Sequence, residues 1–132
     1  MKSEIAQDWA VVKKFCSGSH RQALIPGVGF INETPPEEFY NLPLVLAYGV
    51  LDQVLSDFME KGLFPVPNRK RPLLGDKMIA SRHHLRWRNY DLVEQGKNAR
   101  NNLAHEGHLL GKSQCLAFID AIENELNGWG IL

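Results

Sequence analysis

The sequence predicts an all-α protein: an antiparallel bundle of four to five helices forming a single domain over residues 1–132. Three observations point there. Apolar residues recur at helical spacing along several long segments, and no segment alternates as a half-buried strand does. Glycines fall where these periodic stretches stop, at Gly62, Gly107 and Gly128.

The first helix is expected from a cap at Ser3 to about Cys16, with Ile5, Trp9, Val12 and Cys16 on one stripe. The following segment, "HRQALIPGVGFINETPPEE", is turn-rich and reads mostly as loop. Its Gly27-Val28-Gly29 lacks the spacing and third glycine of a dinucleotide fingerprint. A second helix is expected with Asn41 as its cap, Pro43 tolerated in its first turn and Gly62 as its stop. It is apolar almost all round through Leu55, as befits the buried centre of a bundle. "FPVPNRKRP" is an extended basic connector. A short helix follows Gly75, running through "DKMIASRHHL". Asn89 then caps a fresh helix from Tyr90 to Glu106, which Gly107 ends. The last helix is capped by Ser113. Cys115, Phe118, Ile119, Ile122 and Leu126 form its inner stripe, and Asp120, Glu123 and Glu125 its wet face.

Composition bounds the function. Apolar residues make 44% and charged residues 23% of the chain, as in ordinary globular proteins. Cys16 and Cys115 are far apart and form no C-x-x-C pair, which suits small core residues in a reducing compartment. The start, "MKSEIAQDWA", has no apolar leader core. The longest mainly apolar run, Phe39 to Leu51, falls short of the roughly 20 residues that span a bilayer. A cytoplasmic protein off the membrane is therefore expected. Net charge is zero, yet seven Lys or Arg and one acid lie between Asn68 and Arg88, a concentration suited to a polyanion.

The penultimate helix carries the chemistry. Leu92, Gly96, Ala99 and Leu103 share one face, the expected core side, with Val93 on its margin. Gly96 and Ala99 are small enough to admit a neighbouring helix closely. Glu94, Asn98, Asn101 and His105 gather on a second stripe, with Arg100 at the core edge. Asn is a middling helix former, and three of them here (Asn98, Asn101 and Asn102) break the local economy in the way functional sites do.

"RNNLAH", Arg100 to His105, resembles the R-[polar]-x-x-x-H signature of the HEPN superfamily of α-helical ribonucleases. The order of elements from Leu42 onward is similar as well: a long apolar helix, a basic connector, an Arg- and aromatic-rich segment, the signature at a helix end and a closing amphipathic helix. The resemblance implies a metal-independent, cofactor-free endoribonuclease acting as a homodimer, its two signatures facing across one cleft. Toxin-like defence or stress roles, with an antitoxin or regulatory partner protein, go with it. His105 would move protons, Arg100 would stabilise the phosphate, Asn101 would orient His105 or bind phosphate, and Glu94 is a further orienter. Arg82, Arg86, Arg88 and Lys97 would hold RNA. Some members carry a Tyr two residues after the His; Gly107 stands there, so control by a modifying partner does not transfer.

Three rival readings fit the same residues. His83, His84, His105 and His108 could ligate metal, although "HEGH" is not the H-E-x-x-H pattern. Arg82, Arg86 and Arg88 around Trp87 could make a non-catalytic nucleic-acid-binding module. A silent protein-interaction bundle would use His105 only to complement the helix dipole.

Overall fold

The computed structural model describes every residue except 1, 18–20 and 34, and only the backbone at 21–25 and 30–33. Among the described residues, five helices form the body: α1 (Lys2–Cys16), α2 (Asn41–Glu60), α3 (Leu74–Ser81), α4 (Tyr90–Glu106) and α5 (Lys112–Gly128). A 3₁₀ turn, Glu37–Tyr40, leads directly into α2. Between α1 and α2 the segment read as loop contains a short antiparallel hairpin, β1 (Arg21–Ile25) and β2 (Gly29–Glu33), pairing Arg21 with Glu33 and Ile25 with Gly29. Pro26 and Gly27 turn it. Gly27 and Gly29 take φ of +85° and +98°, a left-handed backbone that glycine supplies without steric cost. Five residues per strand give too few alternations to rise above the turn signals around them.

α2 is the axis, packed by α1, α3, α4 and α5. Leu44, Tyr48, Leu51, Val54 and Leu55 are wholly enclosed. Residues 37–60 have the length and apolarity of a membrane span, and enclosure by protein on this face is what a bundle's core helix requires instead. From α1, Ile5, Trp9 and Val12 face it; from α5, Cys115, Ile119, Ile122 and Leu126 do. Both cysteines are free, Cys16 half-buried and Cys115 buried. Burial pushes the Cys115 thiol up to about 11, where it is an inert packing group at neutral pH.

The ends of α4 fall where local chemistry sets them. Asn89 Oδ1 accepts the Leu92 N–H at 3.3 Å, and Gly107 takes a left-handed φ of +71° while its N–H reaches Leu103 O. Other boundaries shift. α3 stops at Ser81 rather than running through Leu85, and α5 begins at Lys112, where Gln114 rather than Ser113 accepts the free Gly111 N–H. Asn41 does not cap α2. Its Nδ2 donates to Glu38 O and Leu110 O, and its Oδ1 accepts from Leu110 N–H, so it fastens the α4–α5 connector to the start of α2.

Glu125 corrects the expected wet face of α5. It is fully buried, and its two carboxyl oxygens accept the backbone N–H groups of Arg88 at 2.6 Å and Asn89 at 3.0 Å, just ahead of α4. Glu123 is half-buried and takes the Trp9 indole N–H and the Lys13 ammonium, leaving Asp120 exposed.

The buried seam of α4 is Tyr90, Val93 and Gly96, while Leu92, Ala99 and Leu103 are half-buried beside it. Gly96 decides this rotation. A Cβ there would stand 2.0 Å from Tyr48 Oη and 2.7 Å from Phe118. Tyr48 uses the space to donate its buried hydroxyl to Val93 O at 2.8 Å. Gly96→Ala therefore overpacks the α2–α4–α5 junction and should cost about 1–3 kcal/mol in urea unfolding. Gly49→Ala, where a new Cβ meets nothing within 4 Å, should stabilise by roughly 0.5–1 kcal/mol. Glu125→Ala strands two N–H groups and should cost about 3 kcal/mol. Equal midpoints for the two glycine variants would contradict the close approach.

Candidate functional site

Arg100, Asn101 and His105 line one cleft of about 560 Å³ between α4 and α3. At 100° per residue, Arg100 and His105 stand roughly 140° apart around α4. The rotation of the helix reconciles this separation. With Val93 inward, Arg100 lies near the seam, while Lys97 and Asn101 fill the arc between it and His105. The cleft receives all four.

Each side chain has an identifiable setting. The Arg100 guanidinium lies 5.7 Å from the centre of the Tyr48 ring, and its Nη2 donates to Asn101 Oδ1 at 3.0 Å. Asn101 thus orients Arg100, rather than His105 as expected. Burial drives the Tyr48 phenol well above its usual range, against the opposing pull of Arg100, so it stays a hydrogen-bond donor to Val93 O. His105 is exposed in the last turn of α4, ahead of Gly107. Lys97 reaches across to α3: a Cβ on Gly75 would stand 2.9 Å from its Nζ, so glycine leaves the room in which the ammonium lies.

The facing wall comes from α3 and was not anticipated from the sequence. Pro72, Leu73, Gly75 and Ile79 line it, with Asp52 and Asp76. Leu73 and Ile79 are 60% and 67% exposed, large apolar groups in a cleft that Lys97 and Arg100 also line. Asp52 is matched by the nearly buried Lys77 ammonium at 2.9 Å, which also donates to Ser56 Oγ. Asp76 Oδ2 accepts from Leu73 N–H and from Arg69. These bonds, the Leu73 N–H first among them, hold its carboxyl below the ordinary aspartate range.

The other expected RNA contacts lie elsewhere. Arg82 stacks 4.6 Å over the Tyr90 ring and pairs with Asp91. Arg86 is exposed; its carbonyl accepts the Trp129 indole N–H. Arg88 lies along Gly128, its Nε 2.9 Å from where a Cβ would sit. These three gather where α4 begins, about 20 Å along its axis from His105 at 1.5 Å per residue. Lys97 alone of the four shares the cleft. Glu94 sits one turn above Lys97, outside the cleft, and adds to the rise of the buried Tyr90 hydroxyl. Trp87 is no open stacking platform: it packs edge-on against Tyr90 and Trp129 and donates to Ser81 Oγ. Among the described residues no cluster of three or more His, Cys, Asp or Glu is placed to hold a metal ion, and His108 pairs with Glu106 instead.

The depressed Asp76 pKa has a signed consequence. The group favours the folded chain above the ordinary aspartate pKa of about 3.9, and that contribution is lost as pH falls through the lower folded value. Thermal melts of wild type and Asp76→Asn should therefore differ more at pH 7 than at pH 3. A gap that widens in acid would contradict the assigned bonds to the Asp76 carboxylate.

No family model, curated protein or solved structure matches the chain.

Proposed function

We propose that this chain is a metal-independent endoribonuclease of HEPN-like bundle type, cutting RNA in the α3–α4 cleft as a homodimer. The observation that carries the reading is the sharing of one cleft by Arg100, Asn101, His105 and Lys97. RNA brings its own nucleophile. The 2′-oxygen attacks the adjacent phosphorus as the P–O5′ bond breaks, giving a 2′,3′-cyclic phosphate and a free 5′-hydroxyl. An imidazole takes the 2′-OH proton and another supplies a proton to the leaving O5′. His105 from each of two chains would divide these roles. The phosphorane gathers negative charge, which the planar, forked donors of Arg100 meet. Asn101 and the Tyr48 ring hold that fork in place, so little reorganisation is needed at the moment of reaction. Lys97 would bind a neighbouring phosphate.

An apolar strip beside the cleft supports the dimer. Leu42, Val45 and Leu46 on α2 and Val11 on α1 are exposed by 38–50%. Val11, Val45, Leu46 and Gly49 line a shallow groove of about 450 Å³. Val45 also lines a second groove with Arg100, Asn101, Leu103 and Ala104. Contiguous exposed apolar surface of this kind marks interfaces. A second copy seated there would lie against the signature's flank. An antitoxin or regulatory protein covering the same strip would block the cleft, as the toxin-like reading requires.

The purified chain should cut single-stranded RNA in excess EDTA, leave 2′,3′-cyclic phosphate ends and spare DNA, which lacks the 2′-OH. His105→Ala and Arg100→Ala should each lower the rate by roughly 10²–10³-fold. Cleavage by His105→Ala at the wild-type rate would refute the assignment, and a mobility shift without cleavage would favour a binding module. Leu46→Glu, placing a charge in the proposed interface, should yield a monomer in sedimentation and lose activity. A dimer that survives it unchanged would remove this strip from the proposal.

A further inference from the structure

The cleft has more chemistry than a phosphate site uses. Its two carboxylates, Asp76 and Asp52, are matched by Arg69 and Lys77 from outside the lining, which leaves Lys97 and Arg100, among the described residues, as the lining charges available to an anion. The opposite wall offers Leu73 and Ile79, aliphatic groups kept in water at 60% and 67% exposure while Leu74 and Met78 of the same helix serve the core. Between the two lies Asp76. Both of its hydrogen bonds fall on Oδ2, so Oδ1 keeps its lone pairs for a donor in the cleft. An anionic group, a flat apolar face and a hydrogen-bond donor, presented together, describe a nucleotide. A volume of about 560 Å³ is ample for one.

We infer that the α3 wall is the subsite for the base beside the cut, where Leu73 and Ile79 take its face and Asp76 Oδ1 accepts from its exocyclic amine. The inference rests on the proposal that this cleft receives RNA, and it adds a specificity. Adenine, cytosine and guanine each carry an –NH₂ donor, whereas uracil has no exocyclic amine and offers only its N3–H, flanked by carbonyl oxygens that a carboxylate repels. Gly75 serves the same arrangement by leaving the Lys97 ammonium room beside this wall, in the cleft that Arg100 also lines. Reading a base by its edge and face requires it to be unstacked, so the site takes single-stranded segments.

Titration of the full chain with 5′-AMP, 5′-CMP, 5′-GMP, 5′-UMP and inorganic phosphate, followed by the methyl resonances of Leu73 and Ile79, tests this directly. The three amine-bearing nucleotides should move both methyls and bind roughly tenfold more tightly than 5′-UMP, the worth of one charge-assisted hydrogen bond. Phosphate alone should leave the methyls still. Leu73→Ser and Ile79→Ser should weaken every nucleotide. Asp76→Asn keeps an acceptor for the Leu73 N–H, turns a donor toward the base and should abolish the preference against 5′-UMP. Equal affinity for 5′-AMP and 5′-UMP, or unmoved methyls on binding, would overturn the subsite. RNA digestion is a separate readout. A chain that discriminates 5′-AMP from 5′-UMP but leaves RNA uncut sinks the nuclease and keeps the subsite; one that cuts RNA but binds the two equally does the reverse.

Discussion

The site depends on how closely α4 can approach α2. Gly96 permits the approach, and the Tyr48 hydroxyl, bonded to Val93 O, fixes its angle. Any side chain at position 96 would meet Tyr48 and Phe118, so α4 would have to back away or turn. With Val93 and Gly96 inward, Arg100 comes to rest on the Tyr48 ring and the Lys97–His105 arc opens toward α3. One phenol therefore has two duties: its hydroxyl sets the helix and its face seats the guanidinium. Burial keeps it protonated, which the first duty needs.

Both ends of α4 are anchored from distant parts of the chain. Glu125 of α5 holds the backbone at Arg88 and Asn89, and Asn41 of α2 holds Leu110 just beyond Gly107. Each is a buried polar group with its partners supplied, which avoids the cost of leaving such groups unpaired. A helix clamped at its start and just past its finish cannot slide easily along its axis. The His105 turn is consequently placed against α3 by bonds that never touch the cleft.

Much of this was legible in the residues. The limits of α4 follow from Asn89 and Gly107, because a cap and a left-handed glycine are local chemistry. The inner stripes of α1 and α5 follow from the periodicity of Ile5, Trp9 and Val12 and of Cys115, Ile119 and Ile122. What was missed is non-local. Gly96 is on the core side in both readings, but Leu92 and Leu103 outrank Val93 in apolar bulk, so the sequence centres the seam roughly 90° away from Val93; only the partner Tyr48 reveals the true rotation. Glu125 reads as solvent-facing because its N–H partners are 36 and 37 residues away. The α3 wall could not be assigned to the cleft, since nothing local ties Leu73, Gly75 or Asp76 to His105. The hairpin had a local signal, Pro26-Gly27 between "ALI" and "FIN", that its short strands did not reinforce.

The basic residues divide into two groups with different work. Arg82 and Arg88 spend their length on the Tyr90 ring and the Gly128 backbone, bracing the start of α4. Lys97 and Arg100 are turned to the cleft. Because of this division, engagement of RNA at the α3–α4 cleft by Arg100 and His105, as proposed, can be told apart from engagement at the start of α4. A short 2′-O-methyl RNA, which lacks the nucleophile and cannot be cut, should be titrated into the labelled chain while side-chain resonances are followed. Binding in the cleft should shift Lys97, Arg100 and His105 and leave Arg82, Arg86 and Arg88 little changed. Shifts confined to the Arg82–Arg88 end, with His105 silent, would contradict it.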